Sequence, residues 1–558
     1  MKRAIYYILA SLMFMMNTSC SDYLLEESKT DIDKNKYMQN AAEAQNVLLG
    51  VYRNMVTDEL YGHHLSILFT MGTDISQVEG STNENFRIIP TNSFTANQAE
   101  IQRTYAKLYN AIYNANDFIE RLEEKMLNYS STDKQLATIY LAEARGLRGL
   151  YYFELLRRYG HIALITNTAM SNQAPSTFVQ QDPAKVYEFI EQDLKYAIEN
   201  LPYAVDDNIR NNNSFRLSKG SVLGLLTKVY ATWAGNPVKD ISKWEMAAKT
   251  AQILVESNKH GLLENFEQLW KNSGAGLWNP TESLIEASFY SPTATTGSDP
   301  IGRIGKWNGV KASITADRGS NAGNVKVVHT FVLDWRNYPQ DLRRDISVAN
   351  YQYNPTKVLW AGTGANAAAD DADPTKQQKP KQNYTPGKWD TEKYVPQSNK
   401  LINNDRSNVN WYVLRYADVL LLYAEALNEW KQGPTPDAYT AINMVRRRGY
   451  GLPVGETSAL ADIPAGLDMT DFRNAVHKER AFELAFEGSR RLDLIRWGVY
   501  YETVKETAKK LGTWWVSADA PNYAVAKPGY TTKGKHDLFP IPQREMDLAT
   551  QFKQNFLW

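Results

Sequence analysis

Three glutamates spaced four residues apart are the most obvious candidates for chemistry in this 558-residue chain. Glu479, Glu483 and Glu487 lie on one face if the segment 471–497 forms a single helix. Carboxylates at that spacing repel one another by roughly a few tenths of a kcal/mol, so each of them needs a cationic partner. The candidate partners are Arg480, Arg490, Arg491 and the arginine cluster at 446–448.

These carboxylates have two interpretations. In glycoside hydrolysis, two carboxyl groups about 5 to 10 Å apart share the roles of acid and of base or nucleophile. Alternatively, the charges form an internal ion-pair network that locks two helices together. The charged residues stand among apolar ones such as Phe482 and Leu494, which favours the structural interpretation. We therefore predict a structural network of Glu479, Arg480, Glu483, Glu487 and Arg491, and keep a glycoside hydrolase as a less favoured alternative.

Tryptophans give the more informative signal. Seven of the 14 tryptophans fall between residues 270 and 411, in a stretch rich in Gly, Pro, Asn, Ser and Thr. Flat aromatic faces stack on the apolar face of a sugar ring at little entropic cost, although the same side chains also fill cores beneath long loops. Trp307, between Gly305 and Gly309, is the strongest candidate for an exposed platform. The further candidates are Trp278, Tyr290 and Trp335.

Metal and nucleotide motifs are absent from the sequence. The seven histidines are scattered apart from the pair His63 and His64, and no HExxH pattern occurs. Asp370, Asp371 and Asp373 carry calcium-binding oxygens, but the glycine and distal glutamate of a calcium hand are missing. We expect no catalytic residues, no bound metal and no cofactor, with a structural Ca²⁺ as an idea that no motif supports.

Helical periodicity frames the loop-rich stretch on both sides. Apolar stripes at 105–119 and 140–155 recur at spacings of three and four, and Asp182 with Pro183 begins a helix that ends before Pro202. Five more helices are predicted. They cover 217–233, 243–257, 412–430, 436–448 and 499–511, in addition to the segment 471–497.

The amino terminus predicts export and a lipid anchor. Lys2 and Arg3 precede an apolar stretch at 4–16 that is too short to span a bilayer, followed by small polar residues and Cys20, the only cysteine. We predict a lipoprotein signal peptide at 1–19 and lipidation of Cys20. The 62 basic and 62 acidic residues give no charge excess that would point to nucleic acid.

Five segments resemble the SusD/RagB family of nutrient-binding outer-membrane lipoproteins. The most specific is ERAFELAFEGSRRLDLIRWG at 479–498. The others are AEARGLRGLYYFELLRRYG at 142–160, LRYADVLLLYAEALNE at 414–429, AINMVRRRGYG at 441–451 and LFPIPQREM at 538–546.

The resemblance implies a mostly helical fold, with tetratricopeptide-like helix pairs as a scaffold and a loop-rich, short-strand region for ligand binding. It also implies a partner, a SusC-like TonB-dependent outer-membrane barrel, and a structural role for the glutamate motif. Members commonly bind oligosaccharide at a middle block and at an early loop, here 73–92. That loop contributes the candidates Asp74, Asn83, Phe86 and Arg87.

These expectations combine into one functional prediction. We predict a lipid-anchored outer-membrane protein that faces the exterior of a Gram-negative bacterium, captures oligosaccharide and delivers it to the barrel. The same architecture binding peptides is the alternative. The predicted parts are the tether 20–40, an N-terminal helical part 41–261, the ligand-binding region 262–410 and a C-terminal helical part 411–558.

Overall fold

A computed structural model describes most of the chain beyond the amino-terminal segment. The described residues are 37–79, 85–211, 214–292, 301–354, 356–359, 384–401, 403, 405–514, 523–524 and 530–558. The predictions for the signal peptide, Cys20, Asn83 and the three aspartates at 370–373 lie outside these residues.

Helices dominate the described residues, as predicted. Those of seven residues or more are α1 Ala41–Arg53, α2 Ala99–Lys125, α3 Ser131–Tyr159, α4 Pro183–Asn200, α5 Lys219–Ala234, α6 Lys243–Glu256, α7 Phe266–Ala275, α8 His329–Arg336, α9 Tyr416–Lys431, α10 Pro436–Gly449, α11 Met469–Glu483, α12 Arg490–Arg496 and α13 Tyr500–Trp514. Shorter α-helices cover Asn85–Ile88, Thr168–Ser171, Asn208–Asn211, Arg343–Ser347, Thr391–Tyr394 and Gln543–Leu548. None of the described helices is both long and apolar enough to cross a lipid bilayer.

The helices pack as a stack of antiparallel neighbours in chain order. Helix α2 packs on α3, α3 on α4, α4 on α5 and α5 on α6, and α6 then packs on α9, which also contacts α10 and α11. Close approach between α3 and α4 depends on Gly149, because a Cβ there would lie 2.9 Å from the Leu194 side chain. Each helix pair covers the apolar side of the next pair, as in helical-repeat proteins.

Local signals set the ends of several of these helices. The Asp182 carboxylate caps α4 by accepting from the Ala184 N–H, and Pro183 occupies the first turn. The Ser130 hydroxyl caps α3 by accepting from the Asp133 N–H. The sequence therefore carries enough local information to begin these helices at the right residues.

Two predicted helices at the C-terminal end are wrong in detail. The predicted helix 471–497 is interrupted after Glu483, because Phe486 and Gly488 adopt positive φ angles of 65° and 84° that a helix cannot accommodate. The predicted helix 412–430 begins as a strand at Trp411–Arg415 and turns helical at Tyr416.

Short antiparallel strands occur mainly in the region between α6 and α9, and the first and last of them join a sheet there from the two ends of the chain. The strands are β1 Ser76–Glu79, β2 Ser283–Ala287, β3 Val325–Val327, β4 Val348–Ala349, β5 Tyr351–Tyr353, β6 Lys357–Leu359, β7 Thr385–Pro386, β8 Trp411–Arg415 and β9 Tyr523–Ala524. Strand β1 lies between β3 and β9, and the other pairs are β2 with β8, β4 with β7 and β5 with β6. The pairing of β2 with β8 joins the loop-rich region to the start of α9.

A continuous apolar core joins the helical stack to the loop-rich region. Three buried tryptophans mark the junction. Trp389 stacks on Trp411 with ring centroids 5.0 Å apart and meets the edge of Trp270 at 5.4 Å. The described loops therefore rest on the helices through a layer of large rings.

Candidate functional site

The glutamate motif forms the centre of a buried ion-pair network. Glu483 Oε1 lies 2.6 Å from Arg448 Nη2 and 3.0 Å from Arg415 Nη2, and its Oε2 accepts from Arg343 Nη1 at 2.9 Å. These side chains are between 0% and 1% exposed. Although burial alone would raise it, the pKa of Glu483 is held far below its usual range by the surrounding arginines.

The neighbouring glutamates extend the same network. Glu479 accepts from Arg343 at 2.6 Å and from Arg446 at 2.9 Å, and Glu487 accepts from Lys388 and from Arg415, both at 2.7 Å. Including Glu282 and Asp341, the network contains five carboxylates. It also contains five cations, so its charges balance. The cations are Arg343, Lys388, Arg415, Arg446 and Arg448.

Arg480 belongs to a second buried network on the same helix, so its predicted place in the network of Glu479, Glu483 and Glu487 is corrected. Its guanidinium contacts Asp418 at 2.7 Å and Asp493 at 3.0 Å, and Arg496 links Asp493 to Glu425 through contacts of 2.9 and 2.6 Å. The pKa of Glu425 is about 2, because the charge of Arg496 outweighs the effect of burial. Helices α9, α11 and α12 are thus joined by ion pairs as well as by apolar contacts.

Arg491 has a different role from the one predicted for it. Its guanidinium donates to Asn92 Oδ1 at 2.8 Å and to the Met71 carbonyl at 3.4 Å, and it lies over the Tyr500 ring at 4.8 Å. It therefore ties the start of α12 to the early loop through neutral oxygens. The prediction that Arg491 is part of the glutamate network is corrected.

The described carboxylates of the network are not placed for acid and base catalysis. Glu479 and Glu483 are fully buried, and each accepts from two or more cations. A catalytic acid needs a raised pKa and a carboxyl group that reaches the substrate. The arrangement matches the structural interpretation.

Two predicted ligand-binding tryptophans lie in the core. Trp335 has 0% exposure, stacks on Phe482 at 4.6 Å with an interplanar angle of 3°, and donates from Nε1 to Asp341 at 3.1 Å. Trp278 is buried against Phe215 and donates from Nε1 to the Arg210 carbonyl at 3.0 Å. Neither ring has an open face for a sugar, so these two assignments are corrected.

Tyr290 and Trp307 remain as surface aromatics. Tyr290 is 58% exposed and directly follows Phe289, whose N–H donates to Asn410 Oδ1 at 3.0 Å. Trp307 is only partly buried, and its Nε1 donates to Asp405 Oδ1 at 2.8 Å. The ring of Tyr290 is open to solvent, whereas Trp307 offers part of its ring.

The two aromatics lie on adjoining segments. The Phe289 ring packs so closely on Gly302 that a Cβ there would lie 3.1 Å from it, and the Ser407 N–H donates to the Gly302 carbonyl at 2.9 Å. The chain around 289–291 therefore runs beside 301–307 and 405–410. We call the exposed and partly exposed side chains of these adjoining segments, Tyr290, Arg303, Trp307, Asp405 and Arg406, the Tyr290 face.

Charged groups surround Trp307 on this face. The Arg303 guanidinium lies 5.3 Å from the Trp307 ring centroid and pairs with Asp405, and Arg406 binds Asp58 through contacts of 2.5 and 2.7 Å. The ring of His63 meets Trp307 edge-on at 4.5 Å. Burial, with the charges of neighbouring side chains, lowers the pKa of His63 well below its usual value, so the imidazole is neutral. Sequence reasoning missed Asp58, Asp405 and Arg406, because no motif marks them.

The early loop is used mainly for structure. Asp74 forms a two-point ion pair with Arg490, at 2.9 and 2.6 Å, and so holds the start of α12. Both of its oxygens accept from Arg490, and its assignment to ligand binding stays a prediction. Arg87 is partly buried at the end of the short helix Asn85–Ile88, which also includes the backbone of Phe86. Asn83 and the side chain of Phe86 lie outside the described residues.

Metal ligands are not grouped in the ranges described above. Among those residues, no three His, Cys, Asp or Glu side chains lie close enough together to hold an ion. The buried carboxylates are compensated by arginine and lysine side chains instead. The aspartates at 370–373, the candidates for a structural Ca²⁺, lie outside these ranges, and the expectation of no bound metal stays a prediction.

The helical stack forms a repeat scaffold. The loop-rich region that rests on it exposes aromatic and charged side chains. The chain matches the SusD family over residues 262–558. A second family, described as starch-binding and associating with the outer membrane, matches residues 22–231. The chain belongs to the SusD family, which confirms both the predicted resemblance and the predicted fold class.

Three relatives illustrate how far the similarity extends. The crystal structure of a SusD homologue from Bacteroides thetaiotaomicron is 64% identical, covers 96% of this chain and 100% of its own, and has a TM-score of 0.90. SusD-like protein P2 from Formosa agariphila is 26% identical over 97% of both chains. A surface glycan-binding protein A from Bacteroides thetaiotaomicron, solved in complex with laminarihexaose, is 18% identical. It covers 92% of this chain and 99% of its own, with a TM-score of 0.67.

Proposed function

We propose that this protein captures oligosaccharide at the cell surface and passes it, chemically unchanged, to a TonB-dependent outer-membrane barrel. Membership in the SusD family supports carbohydrate as the ligand, because one family description names starch and one relative with the same fold was solved with laminarihexaose. The described carboxylates that a hydrolase would need are buried in ion pairs, which favours binding over cleavage.

The observation that carries the proposal is the exposed ring of Tyr290 on a fixed stretch of chain. Strand β2 pairs with β8 just before it, and the N–H groups of Phe289 and Ser291 donate to Asn410 and Asn408 at 3.0 and 2.9 Å. Because the backbone at this ring is already ordered, stacking on a sugar loses little further backbone entropy. The carboxylate and guanidinium groups beside Trp307 supply partners for sugar hydroxyls.

The decisive experiment replaces Tyr290 by Ala and measures retention of the purified protein in gels that contain single polysaccharides, with laminarin and starch in the panel. Loss of one stacking ring should weaken binding by about 1 to 3 kcal/mol, or roughly 5-fold to 150-fold. Tyr530→Ala is the matched control, because Tyr530 is 49% exposed and the adjacent Thr531 contacts Asn92, which is not part of the Tyr290 face. Equal retention of the two variants on every polysaccharide that binds the parent protein would refute the assignment.

Trp307 calls for a milder substitution. Its indole contacts His63 and donates to Asp405, so truncation to alanine removes packing as well as any ligand contact. Trp307→Phe keeps an aromatic face and removes the hydrogen bond. If the Asp405 bond orients the ring for a ligand, this variant should bind glycan several-fold more weakly with little change in melting temperature. Unchanged glycan affinity would exclude that role.

The anchor and the partner complete the proposal. Lipid on Cys20 would place the chain on the outer membrane, which agrees with the family described as associating with that membrane. We expect the Cys20→Ala variant to be absent from the membrane fraction and not to be labelled by radioactive palmitate. If the protein faces outward, protease added to intact cells should digest it. If it delivers its ligand to a barrel, that barrel should co-purify with it in mild detergent.

A further inference from the structure

A second aromatic surface lies far along the chain from the Tyr290 face. Helix α2, the segment 163–178 and the C-terminal segment 545–552 enclose a cleft of about 340 Å³. That volume is at the lower end of the range for pockets that bind small molecules. Its aromatic lining consists of Tyr105, Tyr109, Tyr113, Phe178 and Phe552.

The three tyrosines follow one another at intervals of four residues, which places them on one face of α2. The rings of Tyr105 and Tyr109 lie 5.0 Å apart, and the Tyr109 hydroxyl donates to the Ala163 carbonyl at 2.9 Å. The exposed residues Ala106 and Asn110 stand at the rim. Tyr105 is only 2% exposed and packs against Tyr109, so the cleft wall holds the partly exposed ring of Tyr109 in a fixed orientation.

Glu545 brings a negative charge to these rings. It is partly buried in the cleft wall, and within the described residues its carboxylate has neither an ion-pair nor a hydrogen-bond partner. Burial raises the pKa of Glu545 above its ordinary value, against the opposing charge of Arg544. Burial raises the pKa of Tyr109, and the neighbouring Tyr105 and, to a smaller extent, the Glu545 charge add to that rise. The cleft lining contains no lysine or arginine.

We propose that this cleft binds a small organic cation of the quaternary-ammonium type. The faces of aromatic rings carry negative potential and attract cations, and a methylated ammonium also buries its apolar surface against them. The unpaired carboxylate supplies the counter-charge, and an anionic ligand would be repelled by it. This site is additional to the proposed glycan site, because none of its lining residues comes from the region 262–410.

Choline and its uncharged isostere 3,3-dimethylbutan-1-ol provide the test. The two probes have nearly the same shape, so a difference between them reports the charge alone. Titration calorimetry of the purified protein at pH 8 should show choline binding at least tenfold more tightly than the alcohol. No detectable choline binding, or equal binding of both probes, would overturn the proposal.

Matched variants locate the site. Glu545→Gln keeps the size of the side chain and should reduce choline affinity at least tenfold, whereas Asp547→Asn on the same short helix removes an equal charge from an exposed position and should change nothing. Tyr113→Leu keeps apolar bulk but removes the ring, and should weaken choline more than the alcohol. If Glu545→Gln and Asp547→Asn bind choline alike, the cation lies elsewhere and the assignment fails.

Discussion

Replacing Glu483 by Gln removes one charge from the balanced network of five carboxylates and five cations. Its carboxylate contacts Arg343, Arg415 and Arg448 at 2.6 to 3.0 Å, and all four side chains are at most 1% exposed. The variant leaves one uncompensated positive charge where water cannot reach it. Breaking a buried ion pair from one side costs about 3 to 5 kcal/mol, and that is the expected loss in the free energy of unfolding.

The assay compares urea unfolding of the parent protein and two variants at the same pH. The control is Glu429→Gln, which breaks the two-point ion pair with Arg473, where both contacts are 2.7 Å but the Arg473 side chain is 32% exposed. A partly solvated pair of this kind contributes at most about 1 kcal/mol. The reasoning is refuted if both variants shift the urea midpoint equally, or if Glu483→Gln is as stable as the parent.

Two further predictions concern other buried side chains. Burial raises the pKa of Glu286 from 4.5 to about 7, against hydrogen bonds from Ser283 and Asn410. Its contribution to stability is therefore highest at or below pH 4.5 and falls by roughly 3 kcal/mol as the pH rises to 7. The free energy of unfolding of Glu286→Gln, measured in urea, should rise relative to that of the parent protein between pH 5 and pH 8. An identical difference between the two proteins at both pH values would contradict the assignment. Trp335→Ala should cost about 3 to 5 kcal/mol, because the ring stacked on Phe482 is lost, and it should leave glycan retention by the folded protein unchanged. Weaker glycan retention by a fully folded Trp335→Ala variant would show that Trp335 belongs to the ligand site after all.

Helices were predictable because their signals are local. The apolar stripes of α2 and α3 and the Asp182 cap of α4 lie within a few residues of the structure that they specify. The break after Glu483 was not, since the left-handed turn at Phe486 interrupts a continuous helical pattern. After this turn Glu487 meets Arg415 and Lys388, which lie at least 72 residues away along the chain and are not apparent from the local sequence.

The tryptophans show what composition cannot distinguish. The local sequence around a ring in a loop-rich stretch does not show whether the ring is buried or exposed, because its burial depends on which distant segment covers it. Trp389 is covered by Trp270 and Trp411, and Trp335 by Phe482. Tyr290, which carries the exposed ring, was one candidate among several and had no local mark that set it apart. The sequence thus indicates where aromatic rings are concentrated, but not which of them are exposed.

The glutamate network and the Tyr290 face are mechanically connected. Glu282 directly precedes β2, Arg415 ends β8, and both side chains meet in the network at 2.7 Å, at the end of the strand pair opposite to Tyr290. The network therefore fixes the base of the two strands to α10 and α11 through Arg448 and Glu483. Directional contacts of this kind allow fewer relative positions than apolar packing does, so the backbone next to Tyr290 is held relative to the helical stack before any ligand arrives. A preformed surface loses little entropy on binding. The buried charged network would therefore favour binding of the proposed ligand without touching it, because it keeps the binding surface rigid.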